Sequence, residues 1–246
     1  HITDLSLKKS KSKSKSHFFS NTLANLELSF FDNSELEFNI ETTSSDNYLK
    51  SHKIKSAITN NNSLLNSFLS VKGNKKDLYV EVKAEAYEDL TKEKSNDKYQ
   101  YLFPSFELSK SFNNNLNLET NGYYKNYDTN VFEKVLINNL RYASIPKIKS
   151  NGFINKFNLL FKNVTTESDN SNEYSNNFRS QNFGSILYDI SYPLKKEGNN
   201  FDSFISGKAS LMYSPNKNKN IKSLDRKIGF KNVFNQNRLG LSDSVE

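Results

Sequence analysis

The chain has no cysteine, no tryptophan, one methionine, four prolines, eight glycines and three histidines in 246 residues. Without cysteine, neither a disulfide framework nor a thiolate metal site exists within these residues. No run of 18 apolar residues occurs, which excludes a membrane-spanning helix. His1, His17 and His52 are the whole histidine complement, so general acid–base chemistry has few carriers. His1 and His17 border the lysine-rich start, and His52 stands alone on an expected strand. No Gly-x-Ser-x-Gly elbow, glycine-rich phosphate loop or His-Glu-x-x-His pair is present. Glu85-Ala86-Tyr87-Glu88-Asp89 reads as a strand end running into a loop rather than a calcium site. The expectation is a protein that is not an enzyme, with no catalytic residue, no cofactor and no metal.

Apolar residues are also scarce. They make up 35% of the chain, with a mean hydropathy of −0.74, against about 45–50% in an ordinary globular domain. A water-soluble globule this polar would be short of core. A barrel with a wet lumen would not, because half of each strand is allowed to be polar. The 13 tyrosines and 19 phenylalanines argue against disorder, where aromatics are rare.

The net charge of +7 has one blunt feature, Lys8 to Lys15, where lysine and serine alternate. No aromatic interleaves these lysines, so nothing is placed to stack on bases, and nucleic acid is not an expected partner. Residues 1–20 read as a polar lysine/serine-rich loop or strand connection, and residues 21–246 as one β domain. The chain opens with His1, which reads as a boundary within a longer protein.

What is abundant is alternation. Ile205, Gly207, Ala209, Leu211 and Tyr213 point one way from a strand, and Ser206, Lys208, Ser210 and Met212 the other. Leu78 to Tyr87 repeats the pattern: Leu78, Val80, Val82, Ala84 and Ala86 oppose Tyr79, Glu81, Lys83, Glu85 and Tyr87. Further strands are expected around Leu26–Phe30, Leu36–Ile40, Tyr48–Ile58, Ser63–Val71, Tyr99–Lys110, Leu116–Tyr127, Glu133–Ala143, Gly152–Asn163, Asn182–Tyr192 and Leu224–Phe234. Turns are expected at Asp32-Asn33-Ser34 and Asn60-Asn61-Asn62, and a long polar loop at Val164–Ser180. Pro104, inside a strand pattern, suggests a bulge or an edge. Most of these segments approach the ~9–11 residues that a tilted strand needs to cross a bilayer, whereas soluble strands average about 5–6. Length therefore favours an all-β fold: an antiparallel transmembrane β-barrel, about a dozen strands of a larger one.

Several stretches resemble the LptD family of lipopolysaccharide-assembly proteins, also called organic solvent tolerance proteins. Tyr188-Asp189-Ile190-Ser191-Tyr192-Pro193-Leu194 resembles its strand ending in a Tyr-Pro-Leu turn, and Leu211-Met212-Tyr213-Ser214-Pro215-Asn216 its Arg-Tyr-Ser-Pro strand end. Phe234 to Leu239 followed by Ser242 to Glu246 is similar to the family's Phe-x-x-x-Arg-x-x-x-x-Asp-x-Val-Glu, carried here by Arg238, Asp243 and Glu246. Ser45-Asp46-Asn47-Tyr48-Leu49 resembles Ser-Asp-x-x-Tyr-Leu. Tyr101 and Pro104 fall in a Tyr-x-Tyr-x-x-Pro strand, Tyr127 and Thr129 in the next element, and Asn138 to Tyr142 in the one after.

The resemblance spans about residues 40–246. It implies a lipopolysaccharide translocon in the cell outer membrane of a Gram-negative bacterium, inserting the glycolipid into the outer leaflet. It also implies an LptE-like lipoprotein plug inside the wall, and an LptA-like periplasmic bridge that docks on a domain absent here. The family's cysteines have no counterpart in these residues. Lys83 and Lys208, on the polar side, would either draw phosphate groups or simply line a wet lumen. Three other classes stay open: a porin-like passive channel, a barrel enzyme built on His52, and a secreted adhesin-like β protein.

Overall fold

The computed structural model describes residues 1–9, 14–59, 61–93, 97–198, 201–216, 229, 231–237 and 240–245. Among them are twelve strands and one helical turn. The strands are β1 (Ile2–Lys9), β2 (Ser14–Leu26), β3 (Asn33–Thr43), β4 (Leu64–Lys75), β5 (Leu78–Asp89), β6 (Tyr99–Asn113), β7 (Leu116–Tyr127), β8 (Phe132–Ala143), β9 (Lys147–Ile148), β10 (Ile154–Asp169), β11 (Arg179–Lys196) and β12 (Ser203–Tyr213); the helix is α1 (Tyr48–Ser51). They form one antiparallel sheet in the order β1 to β8, β10, β11, β12, with the two-residue β9 pairing on β10. The chain is thus all-β, and no helix among the described residues is long and apolar enough to cross a membrane.

The chain packs as two compact units. One comprises His1–Ser109, Thr120–Leu136 and Thr165–Arg179, the other Lys110–Glu119, Ile137–Val164 and Ser180–Glu246. No boundary falls at residue 20. Instead of a loop, most of the lysine/serine-rich start is a hairpin, with Lys8 opposite Lys15, Ser6 opposite His17 and Leu5 opposite Phe18.

β5, β7, β8 and β12 lie within two residues of their expected bounds. The first expected strand is displaced: Leu28 and Phe30 lie in the connection after β2, where Phe31 N donates to Leu28 O at 3.0 Å. Tyr48–Ile58 is not a strand. α1 starts it, and Tyr48 and Leu49 are buried against Phe19, Leu65 and Leu90. Burial of both neighbouring residues breaks the period of two that a strand would need. Residues 164–169, expected as loop, extend β10, because Val164, Thr166 and Ser168 continue its buried alternate positions.

Of the expected last strand, residues 231–234 form turns and 224–228 lie outside the described residues. Asn60 of the expected Asn60-Asn61-Asn62 turn also lies outside them. β6 runs unbroken through Pro104, whose peptide bond with Phe103 is cis, and it lies between β5 and β7 rather than at an edge.

Connections differ at the two ends of the strands. Two-residue turns join β4 to β5 (Lys76-Asp77) and β6 to β7 (Asn114-Asn115) at one end. Lys76 has φ +47°, and the Asn113 side chain accepts from Asn115 N and Leu116 N at 2.8 and 2.9 Å, the local bonding that makes asparagine a turn former. The first end also carries the 27–32 and 144–153 connections, and the opposite end carries 44–63, 90–98, 128–131 and 170–178. There Lys98 is buried between Asp46 (2.7 Å) and Glu88 (3.2 Å). Burial alone would lower its pKa, but the two carboxylates outweigh burial and hold the ammonium above its usual value.

Candidate functional site

The chemistry of this protein lies in the opposition between the two faces of its sheet. In the first unit, strand register puts Asp4, His17, Asn21, Glu37, Asn39, Ser70, Lys72, Glu81 and Lys83 on one face. They bond to one another. Glu81 accepts from Ser70 Oγ (2.9 Å) and Tyr79 OH (3.0 Å) and pairs with Lys83 (3.2 Å) and Lys72 (3.7 Å). Lys72 reaches on to Glu37 (3.1 Å), and Asn21 donates to Glu37 and Asn39. Ser70, Glu81, Asn39 and His17 are buried. Leu5, Leu7, Phe18, Phe38, Leu69 and Val82 lie on the other face, and all are exposed. Buried charge with exposed hydrocarbon inverts the partition of a protein folded in water.

The second unit shows the same inversion with sharper borders. β11 and β12 pair Ile186 with Tyr213, Tyr188 with Leu211, Ile190 with Ala209, Tyr192 with Gly207 and Leu194 with Ile205. Phe157 of β10 stacks on Tyr188 (4.6 Å between ring centres), and Phe153, just before β10, on Tyr192 (4.9 Å), which aligns residues 153–161 with the same band. On β11 and β12 the outward apolar stretch spans eight residue steps, about 26 Å of strand at ~3.3 Å per residue; along 153–161 it is interrupted by Asn155, which is buried and accepts from Tyr188 OH at 2.7 Å. Leu211 is 72% exposed, Ile205 70% and Phe161 49%.

A line of amides ends the band. Asn163 Nδ2 donates to Asn182 Oδ1 (2.8 Å) and Ser180 Oγ (3.2 Å), and Asn138 Nδ2 to Asn163 Oδ1 (3.3 Å). The reverse face carries Asp189, which accepts from Ser210 and Asn158 and pairs with Lys208 (3.5 Å). The charges of Lys83 and Lys208 are thus matched by neighbouring carboxylates.

Lys162 is the most buried cation of that reverse face, 3% exposed. Its Nζ donates to three backbone carbonyls, Leu241 O (3.0 Å), Ser242 O (2.7 Å) and Ser244 O (3.0 Å). Gln236 Nε2 donates to Asn158 O and Ser185 O, and the Lys208 ammonium lies 4.5 Å from the centre of the Phe234 ring. The described part of 231–245 therefore lies against the polar side of β10–β12. Alternation placed Lys162 on a strand, but its three carbonyl partners are some 80 positions away, a pairing no local pattern encodes.

The residues singled out by motif fall in separate places. Tyr213, Ser214 and Pro215 gather at the end of β12 around Gly184: Ser214 Oγ donates to Gly184 O (3.4 Å), and Asn216 bonds both Gly184 N (2.9 Å) and Gly184 O (3.0 Å). Tyr192 covers Gly152, whose φ of +85° and 2.9 Å clearance to that ring leave no room for a side chain. Pro193 is not in a turn; β11 continues through it, with Pro193 opposite Ser206. It lies past the start of β10, where its missing N–H interrupts no ladder on that side.

Tyr101 is exposed on β6, three residues before Pro104. Tyr127 ends β7 with its N–H on Val131 O (2.9 Å), and the Thr129 hydroxyl donates to Asp97. Asp243 lies in the segment against β10, and Arg238 and Glu246 lie outside the described residues. His52 caps α1 and packs on Tyr48 (5.0 Å). The histidine with a carboxylate partner is instead His17, 3.2 Å from Asp4, and its buried Nδ1 bonds nothing among the described residues, so no hydroxyl is aligned there for attack. Among the described residues no three His, Cys, Asp or Glu side chains converge as a metal site.

An exposed apolar band of this extent predicts that the chain sediments as aggregate in plain buffer and becomes monodisperse only in detergent. Gel filtration with and without dodecyl maltoside checks this. A monodisperse species without detergent would show that water tolerates the band. The chain matches no protein-family model, and no curated protein is similar enough to count as a relative.

Proposed function

We propose that this chain is part of the wall of an outer-membrane β-barrel that exports lipopolysaccharide, a translocon of the LptD type. The observation that carries the membrane reading is the band on β11–β12: eight residue steps of outward apolar side chain on two paired strands, continued on β10 by Phe157, Leu159 and Phe161 and backed by a polar face. Its extent along the strands, about 26 Å, amounts to about 20 Å across the bilayer at the ~40° tilt of outer-membrane strands, against an apolar band roughly 25 Å tall. Such a wall presents hydrocarbon to lipid and polar groups to a lumen, as a glycolipid with sugars, phosphates and acyl chains requires.

Export, rather than passive conduction, rests on the order of motif resemblances from Ser45 to Val245. The LptE-like plug, the LptA-like bridge and lipopolysaccharide as cargo follow from the same resemblance. Conditional depletion of the gene in its host tests the proposal. Lipopolysaccharide is expected to stop reaching the cell surface and to accumulate before it, read by surface labelling after membrane separation. Unchanged surface lipopolysaccharide, with only a loss of small-solute permeability, would make the chain a porin-like channel instead.

A further inference from the structure

The outward face of the second unit has one notch in its apolar band. Gly184 stands on the outer side of β11 between Asn182 and Ile186, and a Cβ built there meets only Leu160 O, at 4.0 Å. The missing side chain opens a groove of about 400 Å³ lined by Leu140, Leu159, Phe161, Ile186, Tyr213 and Pro215. Tyr213, one wall of it, is 65% exposed. At its head runs the amide line. There Asn182 gives its Oδ1 to Asn163, while its own NH2 has no partner among the described residues.

We propose that this groove holds one acyl chain of a glycerophospholipid, with the chain's ester carbonyl accepting from the Asn182 NH2. This rests on the membrane reading above. A concave apolar site in a surface facing hydrocarbon is filled by hydrocarbon, and one unspent donor at its mouth fixes the polar end of the occupant. The placement matches the molecule: the ester is the last polar group before the chain, and Asn182 is the last polar residue on β11 before the band. Nothing in the groove is charged, so a headgroup has no counterpart inside it.

The absence of tryptophan from the chain makes a single introduced tryptophan a clean reporter. Tyr213→Trp puts it in the groove wall, and Leu194→Trp puts it on the band away from the groove. Both variants, in detergent, are titrated with a phospholipid brominated on its acyl chains. Tyr213→Trp fluorescence is expected to fall along a saturable curve at low mole fraction of brominated lipid, and Leu194→Trp along a linear one. Gly184→Leu, which has room for its side chain, should turn the first curve linear in the Tyr213→Trp background. Asn182→Ala should shift its midpoint roughly tenfold higher while both proteins keep their strand circular dichroism. Linear quenching of both reporters would overturn the groove but leave the membrane wall standing. No quenching of either would overturn the wall itself.

Discussion

Leu211→Arg is expected to weaken the fold by about 2–4 kcal/mol in lipid vesicles, the cost of a cation near the middle of a barrel's lipid face. That corresponds to roughly 30- to 700-fold in the folding equilibrium, since each 1.4 kcal/mol is a factor of ten. Leu211 lies opposite Tyr188, one pair from the centre of the eight-step band at Ile190–Ala209, and is 72% exposed. In a protein folded in water, so exposed a leucine accepts arginine with a change within about 0.5 kcal/mol. The two solvents thus predict opposite outcomes for one substitution. The control is Ser206→Arg, on the reverse face of the same strand opposite Pro193, where the change should be small. Urea titration of both variants in vesicles provides the measurement. Equal stability of Leu211→Arg and the parent would mean that the band does not face hydrocarbon.

Removing the Lys162 ammonium should have the second large effect. Lys162→Met is close in length, but leaves Leu241 O, Ser242 O and Ser244 O without their shared donor. Losing hydrogen bonds from a charged donor, and stranding their acceptors, costs on the order of 2–4 kcal/mol here, after part is returned because a buried charge no longer has to be desolvated. The loss should fall on the segment rather than on the sheet: residues 231–245 should detach and become cleavable by trypsin at Lys231, while strand circular dichroism is unchanged. Lys162→Gln, which keeps a donor, should protect the segment partly. Slow cleavage in Lys162→Met, as slow as in the parent, would show that Gln236 and Val245 hold the segment without the lysine.

Legibility in the sequence followed the range of each interaction. Alternation is a property of neighbours, so β5, β7, β8 and β12 could be read directly from their residues, and so could which side chains share a face. α1 could not. Tyr48 and Leu49 are adjacent apolar residues in an otherwise strand-like run, and only their burial against Phe19, Leu65 and Leu90 makes a helical turn the better solution. The lysine/serine start reads as a loop or strand connection, yet its described residues 2–9 and 14–20 lie in paired strands, because polarity alone does not separate a loop from a strand. The groove at Gly184 left only a glycine in the sequence, since its walls come from β8, β10 and the end of β12.

The amino-acid order by itself determined an all-β chain with long two-faced strands, because a period of two constrains every second side chain. Only the tertiary structure decided that the polar side is the buried one in the first unit, that β11 and β12 pair their apolar stretches in register, and that a distant segment docks on Lys162. Those outcomes depend on register and on contacts across as many as 82 positions of chain, which no local pattern specifies.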